Sequence, residues 1–78
     1  MEPYLTEREL SVLSLLPFGM TNKEISNKLH ISVHTTKAHL ESIYEKLSVC
    51  NRVQAVVKAM QYDIININEE LNNIIVNI

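Results

Sequence analysis

Between Ser32 and Leu47 the apolar or semi-apolar positions are Val33, Thr36, Leu40, Ile43, Tyr44 and Leu47. Steps of three and four residues place them on one face of a helix, and strand alternation does not fit. Ser32 stands where an N-cap hydroxyl would accept a free N–H of the first turn. His34, Ala38, Glu41, Ser42 and Glu45 fall on the opposite face, with Thr35 and Lys46 on one flank and Lys37 on the other. That outer face suits a solvated amphipathic helix or a helix lying in a DNA major groove. The neighbouring segments choose between them.

Upstream, Thr6-Glu7-Arg8-Glu9 and Thr21-Asn22-Lys23-Glu24 both have the form of a capping box, hydroxyl and carboxylate three residues apart. The first opens a helix through Leu10, Val12, Leu13, Leu15 and Leu16, apolar over a broad face and so largely buried, with Leu5 as a staple against Leu10. Pro17 stops that helix, and Gly19 suits the left-handed turn that follows. The second box opens a helix to about Leu29, with Ile25 and Leu29 inward and Ser26 small enough to admit another helix. His30 occupies a tight connection where Gly or Asn would be less strained, and Ile31 is the expected apolar plug. Two short helices, a tight turn and a longer helix with polar outer residues make a helix-turn-helix. After Leu47, Ser48–Cys50 read as a loop, and Asn51 as the cap of a fourth helix through Val53, Ala55, Val56, Ala59 and Met60 to about Tyr62. Its alanines admit a close neighbour, either the first helix or a second copy of the domain.

The remaining stretch, 63–78, is nearly all Ile, Asn, Leu and acid. Ile64, Ile67, Leu71, Ile74 and Ile78 repeat at alternating steps of three and four, the pattern of a helix seam. A fifth core helix, a seam between two copies and an unfolded tail all fit it. The fold class expected is therefore all-α: a four-helix helix-turn-helix bundle over 1–62, with an Ile/Asn-rich C-terminal extension over 63–78 as a core or dimerisation helix.

Composition narrows the classes. At 78 residues, 46% hydrophobic and 21% charged, the chain is sized for one small domain, and its one Gly and two Pro leave little room for β-turns. It has no apolar run of spanning length and no signal-peptide pattern, and Cys50 is the lone cysteine, so a cytoplasmic location without membrane or disulfides is expected. The net charge of −2 speaks against a polyanion partner until its distribution is read. From Thr21 to Lys58 the balance is +3, and the two flanks together carry −5. The middle suits duplex DNA; the ends do not. His30 and His34 straddle a helix start without supporting ligands, and no nucleophile–base pair or Gly-rich phosphate loop occurs. No metal, cofactor or enzymatic activity is expected.

Thr6–Glu9, Gly19–Ile25, Ile31-Ser32 with Thr35 and Lys37-Ala38-His39, Lys46-Leu47 and Asn51–Val56 together resemble the LuxR/FixJ-type (GerE-like) helix-turn-helix family, in register over roughly residues 5–60. The resemblance implies a sequence-specific DNA-binding transcription regulator, stand-alone or the C-terminal effector domain of a response regulator. It implies a recognition helix over 32–47 in the major groove, with Lys37, Ala38, Glu41 and His34 toward the bases. Phosphate contacts are implied near Thr21, Asn22, Thr35, Lys46 and Arg52, and a homodimer contact on the fourth helix at Ala55, Val56 and Ala59. Three departures stand out: Thr36 where the family usually has Val, Val33 in place of a first-turn acid, and Glu41 where a basic or neutral residue is common. Thr36 then needs a partner for its hydroxyl, most simply a carbonyl one turn back. A sigma-factor region 4 shares the opening box and the helix-turn-helix but not the Asn51–Val56 segment. A different class altogether is a protein-interaction module whose acidic surface and tail engage RNA polymerase.

Overall fold

The computed structural model describes residues 4–65. Their elements are α1 (Glu7–Leu15), a 3-10 turn (Leu16–Phe18), α2 (Asn22–Leu29), α3 (Val33–Leu47) and α4 (Arg52–Gln61). Each α-helix starts on a side-chain cap: Thr6 and Thr21 close full capping boxes with Glu9 and Glu24, Ser32 accepts from the Thr35 N–H, and Asn51 accepts from the Gln54 N–H. Pro17 converts the end of α1 into the 3-10 turn, and Gly19 follows at φ 71°. His30 and Ser48 take the left-handed conformation at the ends of α2 and α3, both at φ 57°. Non-glycine residues are strained there. Backbone bonds hold both turns: the Ile31 N–H donates to the Ser26 carbonyl and the Val49 N–H to the Tyr44 carbonyl.

Helix α3 packs against α1, α2 and α4, most extensively against α1. Its buried column is Thr36, Leu40, Ile43 and Leu47, which meets Val12, Leu13 and Leu16 from the first helix and turn, Ile25 from α2, and Ala55 and Ala59 from α4. Leu5 joins this core, and Ile64 and Ile65 pack against it beyond α4.

Three assignments need correcting, two inward and one outward. Val33 is 42% exposed although its spacing puts it in phase with the apolar column; it lies in the first turn of α3, lining an open concavity with residues of α2 and α4. Leu10 is also exposed, while Glu9 takes the buried place beside Val12 and Leu13. Ala55 and Ala59 are fully buried in their own domain's core, so the outer face of α4 is made instead by Val53, Val57 and Met60. Val56 is half-buried against that core. The seam expected from Ile67 to Ile78 lies outside the described residues.

Thr36 is wholly buried and its hydroxyl meets two partners, the Ser32 carbonyl at 3.2 Å and the Ser26 hydroxyl at 2.7 Å. Ser26 itself donates to the Asn22 carbonyl at 2.6 Å. With that proton committed, the Thr36 proton is shared between Ser26 and Ser32. Thr36→Val keeps the shape and strands no donor, so it should shift stability by less than about 1 kcal/mol. Ile43→Ala opens a cavity against three helices and should cost roughly 2–5 kcal/mol. Urea unfolding of both variants checks this; equal losses would mean that the hydroxyl chain, not apolar packing, holds the α2–α3 crossing.

Candidate nucleic-acid interface

Because Thr36, Leu40, Ile43 and Leu47 face inward, the opposite face of α3 is set by the helical period. His34, Lys37, Ala38 and Glu41 are all exposed, one or two turns apart on that face. Thr35, on the flank, accepts from the Ser32 hydroxyl at 2.9 Å, which leaves its own hydroxyl proton available.

Beside this face lies a concave surface that sequence reasoning did not assemble. Gly19, Met20, Thr21, Asn22 and Lys23 line it from the turn and the start of α2, Val33 and Lys37 from α3, and Arg52 from α4. Three of these residues are cationic and none is acidic. Lys37 therefore belongs both to the outer face of α3 and to the concavity. The α2 N-terminus opens here as well, and the positive end of a helix dipole adds to the three cations. The Glu24 carboxylate is engaged by the capping box, accepting from the Thr21 N–H at 2.9 Å. Its hydrogen bonds with the Thr21 backbone and hydroxyl hold its pKa below the usual carboxylate range.

Both cationic residues among the expected phosphate ligands have partners inside the chain. Arg52, half-buried, donates through Nη1 to the Met20 carbonyl at 2.7 Å and through Nη2 to Asn22 Oδ1. Lys46 donates to Glu9 Oε1 at 2.7 Å, with the Tyr4 ring centroid 5.9 Å from its ammonium. The other Glu9 oxygen accepts from the Ser42 hydroxyl at 2.5 Å. Glu9 thus serves twice, closing the α1 box and tying α1 to the last two turns of α3. The sequence did carry a signal for it, since Glu9 is in phase with Val12, Leu13 and Leu16 on the buried stripe.

His30, His34 and Cys50 are exposed. Among the described residues no group of three or more His, Cys, Asp or Glu is placed to hold a metal ion, and no helix is long and apolar enough to cross a membrane.

The sequence model for "Bacterial regulatory proteins, luxR family" matches residues 3–59. The chain belongs to the luxR family. That match selects the luxR reading over the sigma-factor one. The response regulator VraR of Staphylococcus aureus is 44% identical over 61 residues, an alignment that covers 78% of this chain and 29% of VraR. The VraR of Staphylococcus epidermidis matches to the same extent. This luxR-type chain therefore spans about a third of the length of those relatives. Among solved structures, the transcription factor GerE superposes with a TM-score of 0.75 at 32% identity, covering 80% of this chain and 92% of GerE. ChrA, the response regulator of a heme-sensing two-component system, superposes at 0.77 with 42% identity over 80% of this chain and 31% of ChrA.

The Glu9 site yields a pH prediction. Burial pushes the Glu9 carboxyl up, but the Lys46 and Ser42 hydrogen bonds and the Thr6 N–H outweigh it and bring its pKa from 4.5 to about 2. A depressed carboxylate contributes stability that is present above its unfolded pKa and lost as pH falls through its folded one. Stability should therefore fall between pH 4.5 and about 2. Glu9→Gln should lower stability by about 1–3 kcal/mol at neutral pH and flatten the decline in that window, as followed by thermal melts across pH. A variant with the parent's pH profile would remove Glu9 as its source.

Proposed function

We propose that this domain binds duplex DNA in a sequence-specific manner by laying α3 in the major groove, in the cytoplasm, as the effector part of a transcription regulator. The observation that supports it most is the continuity of two surfaces through Lys37: the exposed face of α3, and the acid-free concavity at the start of α2. A groove-reading helix needs both, one surface for base edges and one for the flanking phosphates. On this reading Lys37, Ala38, Glu41 and His34 meet base edges, the lysine suited to guanine acceptors and the glutamate to a cytosine N4 amine. Thr21, Asn22, Lys23 and Thr35 meet phosphate oxygens. Lys46, with its charge matched by Glu9, contributes less than an unpaired lysine would.

Two copies are proposed on DNA, joined on α4. The exposed stripe Val53, Val57 and Met60 supports this placement, with half-buried Val56 at its edge. A single copy offers few phosphate contacts, and a second copy on the same duplex raises avidity by a factor on the order of 10² or more through effective concentration.

Selection from a random duplex library followed by footprinting tests the proposal. Lys37→Ala should weaken the selected site by roughly 1–3 kcal/mol and relax its preference at one position. Lys23→Ala should weaken all duplexes alike and reduce the salt slope by about one. If no duplex is retained at low salt, the protein-interaction reading takes the place of this one.

A further inference from the structure

We infer that Arg52 is a positioning residue for DNA binding, acting through Asn22 rather than touching phosphate itself; this rests on the DNA reading above. Arg52 is the first residue of α4, where the helix dipole disfavours a cation. Its guanidinium reaches back 30 residues in sequence to the start of α2, where it donates to Asn22 Oδ1, and also to the Met20 carbonyl. A guanidinium only donates, so the face of the Asn22 amide turned toward it must be the oxygen. The amide is thereby locked in one of its two flips, and its NH2 faces the other way. That NH2 makes no hydrogen bond among the described residues, and no described side-chain N or O is both buried and unpartnered. The Asn22 NH2 therefore opens to solvent in the concavity shared with Lys23 and Lys37.

Chemically, the consequence is one of sign. Released from Arg52, the Asn22 side chain can turn its oxygen outward and present an acceptor to a phosphate that needs donors. Held by Arg52, it presents two N–H donors beside the unpaired backbone N–H groups of the first turn of α2. Val53, the next residue of α4, is 73% exposed on the outer stripe. Arg52 thus lies between the proposed contact with a second copy and the phosphate-facing end of α2.

A double-mutant cycle on the full chain tests this, with the duplex selected by the parent as probe. Arg52→Met and Asn22→Ala should each weaken binding by roughly three- to tenfold. The double variant should be no weaker than the weaker single one, because the Asn22 amide that Arg52 orients is then absent. The salt slope should be the same for Arg52→Met as for the parent once Asn22→Ala is present. Effects that multiply in the double variant, or a slope lowered by about one when Arg52 is removed from the Asn22→Ala background, would show a direct phosphate contact and overturn the inference. So would an Arg52→Met variant that melts lower yet binds as tightly as the parent. If Arg52→Met does not fold, Arg52→Gln, whose shorter side chain lacks the fork that holds the Asn22 oxygen, takes its place in the cycle, where the same outcomes support or overturn the inference. A parent chain that selects no duplex removes the DNA reading and this inference together; a parent that binds while the cycle multiplies removes the inference alone.

Discussion

Burial of one column of α3 sets the geometry of the whole domain. Thr36, Leu40, Ile43 and Leu47 are the side chains through which α3 meets the other three helices. Each large apolar member stabilises the fold by about 1.5–3 kcal/mol on leaving water, more than a typical hydrogen bond contributes. The rotation of α3 about its axis is therefore decided by its inner face. The outer residues have no say in it: His34, Lys37, Ala38 and Glu41 face solvent because the column faces the core. A reading surface can change its chemistry residue by residue without disturbing that rotation, which is what a family of regulators with different targets requires.

Apolar contact is non-directional, and several of the crossings carry a polar pin. At α1–α3 it is the Glu9 carboxylate, held by Ser42 and Lys46. At α2–α3 it is the Ser26–Thr36 hydroxyl pair, and between α4 and the start of α2 it is the Arg52 fork. None of these pins joins two isolated charges in a dry interior. Lys46 keeps a third of its side chain exposed, and Arg52 meets neutral acceptors. The desolvation penalty that makes buried ion pairs poor stabilisers is thereby kept small. Their contribution is to register, since a shift of α3 by one residue would break the Glu9 and Ser26 contacts at once.

Element boundaries were legible because their signals are local. Two capping boxes, Ser32, Asn51, Pro17 and Gly19 mark most helix starts and stops within a few residues of themselves, and the structure follows each of them. Orientation was less legible, because it depends on which neighbour arrives. Val33 has the right phase for the core but lies at its edge, on the open concavity. Ala55 and Ala59 allow close approach by either side, and the domain's own core takes them, leaving the valines and Met60 outside. Lys46 and Arg52 read as free cations since their acceptors, Glu9 and Asn22, are 37 and 30 residues away. The concavity at the start of α2 unites segments that the sequence keeps apart.

Those internal partners also bear on how an acidic chain would approach DNA. With Lys46 matched by Glu9, the cations that remain around the interface are chiefly Lys23, Lys37 and Arg52, whose neutral acceptors leave its charge in place. The screening length near physiological salt is about 8 Å, so acids on the flanks weaken their pull only slightly, while Glu41, one turn from Lys37 on the same face, opposes it directly. A carboxylate there is repelled by phosphate and by the acceptor edges of guanine and thymine, and is accepted only where a base offers a donor such as the cytosine amine. Affinity is thus traded for discrimination within one helical turn. On the proposed reading, a face built this way would bind any single half-site weakly and separate right from wrong sites strongly. Such a balance would serve a regulator only if a second copy restored the lost affinity, and the outward stripe of α4 offers exposed apolar surface for that contact.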